Sequence, residues 1–236
     1  MGRRTTVKAS IIVGTLNHLE DLLKPCLESI KANTDLTDVE VIIVANGCTD
    51  STKEYVESLG EPFKLLWFDK PLGFPKTNNE GIAIAKGDYI VLLNNDTILL
   101  NNQWLDILLV PFIEPEVGMT GAVKFTFNCQ GIEREVIAFW CTAIKRAVFN
   151  KIGYLDEAFN PFGCEDFDFS IRASLAGFKL VQVPNNDRSE FFAYKSPSLF
   201  PIYHKGSATV DGFAIDKKSL ENRNMSIIYD RYGIKR

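Results

Sequence analysis

Three short polar residues, Asn94, Asn95 and Asp96, follow the apolar run 89–93. Such a run is typical of a buried parallel strand, and ligands bind at the carboxyl ends of the strands in an open α/β sheet. A carboxylate in that place can hold a divalent cation against a phosphate. The pattern therefore predicts a nucleoside-diphosphate site, with Asp96 at the cation and with Asn94 and Asn95 at the nucleotide substrate, which we call the donor. The structural alternative is an Asp96 that only caps the following turn.

Further polar residues lie in the turns that follow the other strand-like segments. We expect them to contact the donor, since glycine allows close backbone approach and lysine can pair with a phosphate. Asn, Asp and Gly also belong in turns for structural reasons, so this alternative stays open for each residue. The predicted donor residues are Thr15, Asn17, Asn46, Asp50, Gly73, Lys76 and Asn79.

Apolar periodicity predicts the elements that must position these residues. In the first half, strands alternate with helices at spacings that imply parallel βαβ units. The predicted strands are 7–13, 39–44, 63–68, 88–93, 117–125 and 179–183. The predicted helices are 19–30 with a restart near Pro25, 51–59, 78–85, 103–113, 145–152 and 165–176.

These elements predict an α/β fold with a mostly parallel central sheet flanked by helices. We expect one domain over residues 1–236. A Rossmann-like nucleotide-binding half, 7–100, would be fused to a second half, 101–236, that binds the second substrate, the acceptor. The polar segment 185–198 resembles a loop that closes over the donor and excludes water.

Composition excludes several classes of protein. The 236 residues are 46% hydrophobic and 24% charged, which is ordinary for a globular protein, and the net charge of −4 argues against a nucleic-acid partner. The sequence has neither an apolar run of about eighteen residues nor a signal-peptide core, which predicts a cytoplasmic protein. Basic residues at both ends, Arg3, Arg4, Lys235 and Arg236, could touch an anionic membrane. Five scattered cysteines predict free thiols in a reducing compartment.

Four segments, in this order, resemble the family 2 glycosyltransferases of the nucleotide-sugar-dependent GT-A type. The resemblance runs from Ser10 to about His204. The donor-binding and metal segment is similar to that of the rhamnosyltransferase-like branch of the family. The segments are SIIVGTLNHLEDLLKPCLESI, VEVIIVANGCTDST, PLGFPKTNNEGIAIAKGDYIVLLNNDT and IKRAVFNKIGYLDEAFNPFGCEDFDFSIRASLAGFKL.

The resemblance implies a metal site, and the chain departs from the family pattern at two positions, one in the metal motif and one near the nucleobase. Family members often bind the metal through a His after the last sheet strand, which implies His204, although a half-buried structural histidine is the alternative. An imidazole with one carboxylate favours Mn²⁺ over Mg²⁺. The metal motif here begins with Asn94 rather than Asp, which implies weaker metal binding. Ala45 replaces an Asp that commonly holds the nucleobase, and we expect Asn46 to compensate for it.

The resemblance also implies a pair of catalytic carboxylates, Glu165 and Asp166. Asp166 would be the general base and Glu165 would orient the acceptor. At the start of helix 165–176 the helix dipole favours ionised carboxylates, as a base requires. Acidic residues at a helix start are also common without any catalytic role.

Acceptor binding is the least specified part of the sequence. Trp140 stands where family members usually have small residues, so it could stack on an acceptor sugar or belong to the core. Further aromatic candidates are Phe162, Phe191, Phe192 and Tyr194.

The resemblance implies a metal-dependent, inverting glycosyltransferase. It would use Mn²⁺ or Mg²⁺ and move a sugar from a UDP-, dTDP- or GDP-sugar to a saccharide, lipid-linked or protein-linked acceptor, in polysaccharide or glycoconjugate biosynthesis. Two alternatives remain at this point. One is a non-catalytic nucleotide-sugar-binding protein, and the other is a sugar-phosphate nucleotidyltransferase.

Overall fold

A computed structural model describes residues 7–183, 200–206 and 216–233. Within them, seven strands form one sheet in the order β10-β6-β9-β4-β1-β2-β3. The strands are β1 (Ala9–Thr15), β2 (Val39–Asn46), β3 (Phe63–Phe68), β4 (Tyr89–Leu93), β6 (Val117–Gly121), β9 (Cys141–Lys145) and β10 (Lys179–Gln182). Four more strands form two small pairs, β5 (Thr97–Leu99) with β11 (Ile202–His204) and β7 (Lys124–Cys129) with β8 (Ile132–Ile137).

The helices lie between these strands. They are α1 (Lys24–Asn33), α2 (Thr52–Leu59), α3 (Phe74–Ile84), α4 (Trp104–Leu109), α5 (Arg146–Ile152), α6 (Glu165–Leu175) and α7 (Lys217–Tyr232). A π-helical turn, Leu19–Leu23, precedes α1. Pro25 lies in the first turn of α1, where a backbone N–H would have no acceptor within the helix, so a proline is tolerated there. The predicted restart at Pro25 is confirmed.

The predicted α/β fold with its mostly parallel sheet is confirmed. Strand β1 pairs in parallel with β2 and β4, and β2 pairs in parallel with β3. Strand β9 is the exception, because it runs antiparallel between β4 and β6. Both halves of the chain therefore contribute strands to one continuous sheet.

Two apolar layers cover the faces of this sheet. Alternate residues of β1 point to opposite sides, so Ile11 belongs to one buried cluster and Ile12 to the other. Strand β2 is buried along its whole length, as expected for a central strand covered on both faces. In the described part of the chain, no helix is long and apolar enough to cross a membrane.

Some predicted elements differ from the observed ones. The predicted strand 117–125 is two strands, β6 and β7. The predicted helix 78–85 begins at Phe74, because Gly73 with φ 86° precedes it and Pro75 fits its first turn. The predicted helix 103–113 is α4 followed by a 3-10 turn at Val110–Ile113 that contains Pro111. The sequence patterns did not predict α7 or the short strands β5, β8, β9 and β11.

Candidate active site

A cleft of about 390 Å³ opens at the carboxyl ends of the parallel strands. Because β1, β2, β3 and β4 run in the same direction, the turns that follow them meet at one edge of the sheet. Six of the predicted site residues line this cleft: Thr15, Asn46, Gly73, Asn94, Asn95 and Asp96. The segment 160–162 forms the wall that belongs to the second half of the chain.

Hydrogen bonds between turns fix the donor side of the cleft. The Asn95 amide donates to Thr15 Oγ1 at 3.0 Å, which joins the ends of β1 and β4. The Asn46 amide donates to the Thr15 carbonyl at 2.6 Å and accepts from the Leu72 N–H at 3.2 Å. Both ends of the Asn46 side chain are thus bound to the chain itself, and its expected substitution for the missing Asp at Ala45 has no support in this geometry. Ala45 itself is fully buried.

Gly73 lets two parts of the chain approach closely. Its φ of 86° is a conformation that glycine adopts without steric penalty, and a Cβ atom here would lie 2.6 Å from Asn160 Oδ1. The glycine is therefore needed where α3 begins against the segment 160–162.

Four predicted donor residues lie outside the cleft lining and bind other parts of the chain. Asn17 Oδ1 accepts from the Thr49 N–H at 2.7 Å, and Asp50 Oδ2 accepts from the Leu19 N–H at 3.0 Å. Together Asn17 and Asp50 join the turn after β1 to the turn after β2. The structural alternative fits these two residues better than donor contact.

Lys76 and Asn79, the other two, join α3 to the second half of the chain. The Asn79 side chain donates to the Leu155 carbonyl at 2.9 Å and accepts from the Leu155 N–H at 3.0 Å. Lys76 lies 3.6 Å from the carboxylate of Glu157. These contacts position the segment that leads to the cleft wall rather than the donor.

Asp96 and His204 form the candidate metal centre. The antiparallel pairing of β5 with β11 places His204 opposite Thr97, and the Lys205 N–H donates to the Asp96 carbonyl at 3.0 Å. As a result His204 Nε2 lies 3.2 Å from Asp96 Oδ1, and both residues are buried.

A carboxylate oxygen and an imidazole nitrogen that converge in this way fit a first-row transition-metal cation such as Mn²⁺. The two side chains would hold such an ion at the edge of the cleft. Across the described ranges, no group of three or more His, Cys, Asp or Glu side chains could hold a metal. Further ligands would have to come from the diphosphate or from water.

Trp140 supports this centre. Its ring stacks on the imidazole of His204 with centroids 4.6 Å apart and an angle of 8° between the planes. Its backbone carbonyl accepts from the Asn94 N–H at 2.9 Å. One ring face is thus covered by His204 and Trp140 is only 9% exposed, which favours packing over the predicted stacking on an acceptor sugar.

The carboxylates Glu165 and Asp166 begin α6, directly after the cleft wall. Neither belongs to the cleft lining itself, whereas Phe162 does. Asp166 is half-buried, and its Oδ1 accepts from the Phe167 N–H at 2.9 Å. Glu165 is 8% exposed, and its Oε2 has no hydrogen-bond partner in the described residues.

The electrostatics of this pair differ from the expectation. Burial raises the pKa of the Glu165 carboxyl, and the charge of Asp166 raises it further. Burial also raises the pKa of the Asp166 carboxyl, despite the hydrogen bond from Phe167. The helix start was expected to favour the ionised forms, but desolvation has the larger effect here.

Helix α7 holds the segment that connects the cleft to these carboxylates. The amide of Asn224, a fully buried residue, donates to the carbonyls of Phe162 at 3.0 Å and Gly163 at 2.7 Å. Arg223 Nη2 donates to the Asn160 carbonyl at 2.7 Å. We call these two residues the α7 clamp.

The α7 clamp is a functional feature that sequence reasoning missed. One signal was available, since Leu220, Asn224 and Ile228 recur at a spacing of four and are the buried residues of α7. A polar residue in the middle of this stripe conceals the pattern. Phe191, Phe192, Tyr194 and the predicted closing loop 185–198 lie outside the described residues.

Residues 10–176 match the sequence model of the family described as Glycosyl transferase family 2. The chain therefore belongs to this family, which confirms the resemblance seen in its motifs. It is 28% identical over 217 residues to the O-antigen biosynthesis protein RfbC of Myxococcus xanthus, covering 75% of this chain. It is 23% identical over 226 residues to the uncharacterized glycosyltransferase MJ1057 of Methanocaldococcus jannaschii, covering 82% of this chain and 77% of that protein. The chain spans 17% of RfbC and 24% of the protein y4gI of Sinorhizobium fredii, two curated relatives that it matches.

Two solved structures share the fold. The mannosyltransferase PcManGT from Pyrobaculum calidifontis, in complex with GDP-Man and Mn²⁺, superposes with a TM-score of 0.62 at 17% identity, covering 77% of this chain and 58% of that chain. GalNAc-T7, with UDP, GalNAc and Mn²⁺, superposes with a TM-score of 0.66 at 15% identity, covering 77% of this chain and 43% of that chain. The predicted GT-A fold is thereby confirmed.

Proposed function

We propose that this chain is an inverting glycosyltransferase that moves a sugar from a nucleoside diphosphate to an acceptor hydroxyl. The observation that carries the proposal is the position of Asp96, which lines the cleft at the carboxyl ends of the sheet and lies 3.2 Å from His204. Family membership and the bound nucleotides of the two structural neighbours support it.

The donor side of the reaction needs the charge of the leaving diphosphate to be neutralised. A divalent cation, Mn²⁺ or Mg²⁺, held by Asp96 and His204 would supply that positive charge when bound. The imidazole favours Mn²⁺, the ion in both structural neighbours. Thr15, Asn94 and Asn95 shape the wall around the donor, and Gly73 lets the chain approach it.

The acceptor side needs a base that removes the hydroxyl proton during attack. In the proposed reaction, the acceptor oxygen bonds to the anomeric carbon while the bond from that carbon to the diphosphate oxygen breaks. The proton passes to the Asp166 carboxylate, and Glu165 orients the acceptor. A raised pKa makes the Asp166 carboxylate a stronger base than an ordinary exposed one.

The substrate class remains a proposal. The printed name of RfbC supports a role in polysaccharide or glycoconjugate biosynthesis, with a saccharide, lipid-linked or protein-linked acceptor. We further infer that both halves act as one domain, since β9 of the second half lies between β4 and β6. Location in the cytoplasm and contact with a membrane through the basic ends stay predictions.

Donor turnover on an acceptor panel tests the base, and titration calorimetry with and without Mn²⁺ tests the metal centre. Asp166→Asn should lower turnover by about 10²- to 10⁴-fold and keep donor binding. Asp96→Ala should abolish the metal dependence of donor binding. The exposed Asp106, changed to Asn, is the matched control and should behave as wild type.

Other outcomes would support the alternative functions. Full turnover in the Asp166→Asn variant would reject Asp166 as the base. Donor binding without transfer to any acceptor would indicate a nucleotide-sugar-binding protein. Release of pyrophosphate from a nucleoside triphosphate and a sugar phosphate would indicate a nucleotidyltransferase.

A further inference from the structure

Several polar side chains of the cleft are already bound to the chain. Thr15 Oγ1 interacts with Asn95 and with the Asn17 carbonyl, and the Asn46 amide is committed at both ends. The Asn78 amide donates to the Phe74 carbonyl at 2.9 Å. These groups shape the cleft, but they have limited capacity left for a ligand.

Two other cleft-lining groups differ. Thr77 Oγ1 and Asn160 Oδ1 are buried and have no hydrogen-bond partner in the described ranges 7–183, 200–206 and 216–233. Thr77 is only 3% exposed. A buried polar atom left without a partner destabilises the fold by about 1–3 kcal/mol, so such atoms at a cleft indicate a place that a ligand fills.

The two atoms lie at the same end of α3. The Thr77 N–H donates to the Gly73 carbonyl at 2.9 Å, which places Thr77 one turn beyond Gly73. Asn160 Oδ1 lies against Gly73 from the segment 160–162 of the cleft wall, at 2.6 Å from where a Cβ of Gly73 would stand. A ligand over the first turn of α3 would meet both atoms.

The chain holds Asn160 in place before any ligand binds. Its carbonyl accepts from Arg223 of the α7 clamp at 2.7 Å, and its N–H donates to the Glu157 carbonyl at 3.0 Å. A group fixed in this way loses little conformational entropy on binding.

The chemistry of the two atoms selects the ligand. The Asn160 oxygen accepts hydrogen bonds only, while the Thr77 hydroxyl can donate or accept. Neither is charged, and the Asn160 oxygen would repel a phosphate oxygen. The matching group is a hydroxyl that donates a hydrogen bond to the Asn160 oxygen and accepts one from the Thr77 hydroxyl.

We propose that Thr77 and Asn160 form a subsite that recognises a sugar hydroxyl of the donor. The proposal rests on the proposed function, since it requires a nucleotide sugar in the cleft. The same chemistry occurs on the ribose and on the transferred sugar, and the experiment separates these two sources.

The experiment is titration calorimetry of the wild-type chain, Thr77→Val and Asn160→Ala, in the presence of Mn²⁺. The ligands are UDP and GDP, their 2′-deoxy and 3′-deoxy analogues, the UDP- and GDP-sugars, and inorganic pyrophosphate. Loss of one neutral hydrogen bond should weaken binding of the recognised ligand by about 2- to 12-fold.

Each pattern of results has one meaning. If the subsite binds the ribose, both variants weaken the ribonucleotides and leave one deoxy analogue unchanged. If it binds the transferred sugar, both variants weaken the nucleotide sugars relative to their diphosphates. Unchanged affinity for every ligand, or equal weakening of every ligand including pyrophosphate, would overturn the subsite.

Failure of the proposed function has a separate signature. A wild-type chain that binds no nucleotide in the panel would reject both proposals. If wild type binds nucleotides, and the variants bind both the nucleotides and the nucleotide sugars as tightly as wild type does, the subsite alone is rejected.

Two controls separate ligand binding from folding. Thr77→Val keeps the branched shape and removes a hydroxyl without an internal partner, so its melting temperature should equal that of wild type or exceed it. Thr126→Val makes the same change at an exposed position of β7 and should leave every affinity unchanged. A strong loss of stability in Thr77→Val would show an internal partner for the hydroxyl and overturn the proposal, with Asn160→Ala as the independent second test.

Discussion

The two sides of the cleft are built in different ways. On the donor side, Thr15 and Asn46 end strands β1 and β2 of the central sheet, and Asp96 lies three residues after the end of β4. On the carboxylate side, Glu165 and Asp166 follow a segment that the α7 clamp holds by hydrogen bonds to main-chain carbonyls. The position of the donor groups is thus tied to the two large apolar layers of the sheet, whereas the position of the carboxylates depends on the α7 clamp and on a small apolar cluster that contains Phe159 and Cys164.

This difference has an energetic consequence. Moving a strand end would disturb the apolar layers around Ile11 and Ile12, which are fully buried. Moving the segment before α6 breaks a few hydrogen bonds, each of which contributes about 1 kcal/mol, and disturbs only the small apolar cluster that contains Phe159 and Cys164. The two halves of the chain that carry these sides should therefore respond differently to substitution, and one buried carboxylate in each half allows a direct test.

Asp168 is the buried carboxylate of the second half. It accepts from Arg172 Nε at 2.7 Å, Arg231 Nη1 at 3.0 Å and the Tyr232 hydroxyl at 2.6 Å, and so joins α6 to the end of α7. Asp168→Asn should lower the free energy of unfolding by about 3 kcal/mol, because Arg172 loses its counter-charge and Arg231 keeps only its ion pair with Asp156. It should also lower turnover by more than tenfold under conditions where the variant is folded.

Glu40 is the matched carboxylate of the first half. It lies near the start of β2, at the sheet edge opposite the cleft, and accepts from Ser10 and Lys64 side chains and the Lys86 N–H. Glu40→Gln should lower the stability to urea by a comparable amount while the folded fraction keeps wild-type turnover. Equal turnover losses in the two variants would break the contrast between the halves.

Asn224→Leu tests the α7 clamp directly. The substitution leaves the carbonyls of Phe162 and Gly163 without their donor, so we expect a loss of about 1–3 kcal/mol in unfolding free energy. Turnover should fall more than nucleotide affinity, because the clamp positions the approach to Glu165 and Asp166. Asn222→Leu makes the same change at an exposed position of the same helix and should alter neither quantity. A variant at Asn224 with full turnover would show that the clamp is dispensable.

The contrast between the halves also decides what the sequence could predict. On the donor side, each apolar run is followed by its polar turn, so strands β2, β3 and β4 and the cleft residues Thr15, Asn46 and Asp96 could be read from local pattern. The spacing could not separate the residues that face the cleft from Asn17 and Asp50, which bind neighbouring turns. Local sequence does not record which of several turn residues faces inward.

On the other side the information is not local. Strand β9 enters the middle of the sheet with reversed direction, and His204 reaches Asp96 only through the pairing of β11 with β5, about a hundred residues away in sequence. The raised pKa values of Glu165 and Asp166 depend on tertiary burial, which overrides the local effect of the helix start. Long-range pairing and burial are what periodicity cannot show.

The pH dependence of stability should have opposite signs for the buried carboxylates of the two halves. Because the folded-state pKa values of Glu165 and Asp166 are raised above about 4, the native state binds protons that the unfolded chain has released. Their contribution to the unfolding free energy is therefore present at low pH and falls as pH rises through the raised pKa values. Between pH 5 and pH 8, the unfolding free energy of Asp166→Asn and of Glu165→Gln should rise relative to that of wild type. The expected rise is about 1.4 kcal/mol for each unit by which the wild-type pKa is raised.

Glu40 provides the comparison for this prediction. Burial acts to raise its pKa, but the bonds from Lys64, Ser10 and Lys86 outweigh that effect and lower the pKa overall. Its contribution to stability is thus present above pH about 4 and is lost as pH falls through the lowered pKa. Urea unfolding of the three variants between pH 3 and 8 measures both signs, and a stabilisation of Glu40→Gln at pH 8 would contradict this assignment.

Trp140 gives the smallest expected effect, since it acts on the metal centre only through His204. The stacked ring limits rotation of the imidazole, so Trp140→Leu should weaken Mn²⁺ affinity, measured by calorimetry with UDP or GDP present, by about two- to fivefold, within the range of an aromatic contact. Trp140→Phe keeps an aromatic ring and should restore most of the affinity. Trp67→Leu on β3 is the control, because Trp67 donates only to Asp69 and does not line the cleft. If Trp140→Phe binds Mn²⁺ as weakly as Trp140→Leu, stacking is not what orients His204, and the metal centre would then depend on the β5–β11 pairing and on the donor-side sheet alone.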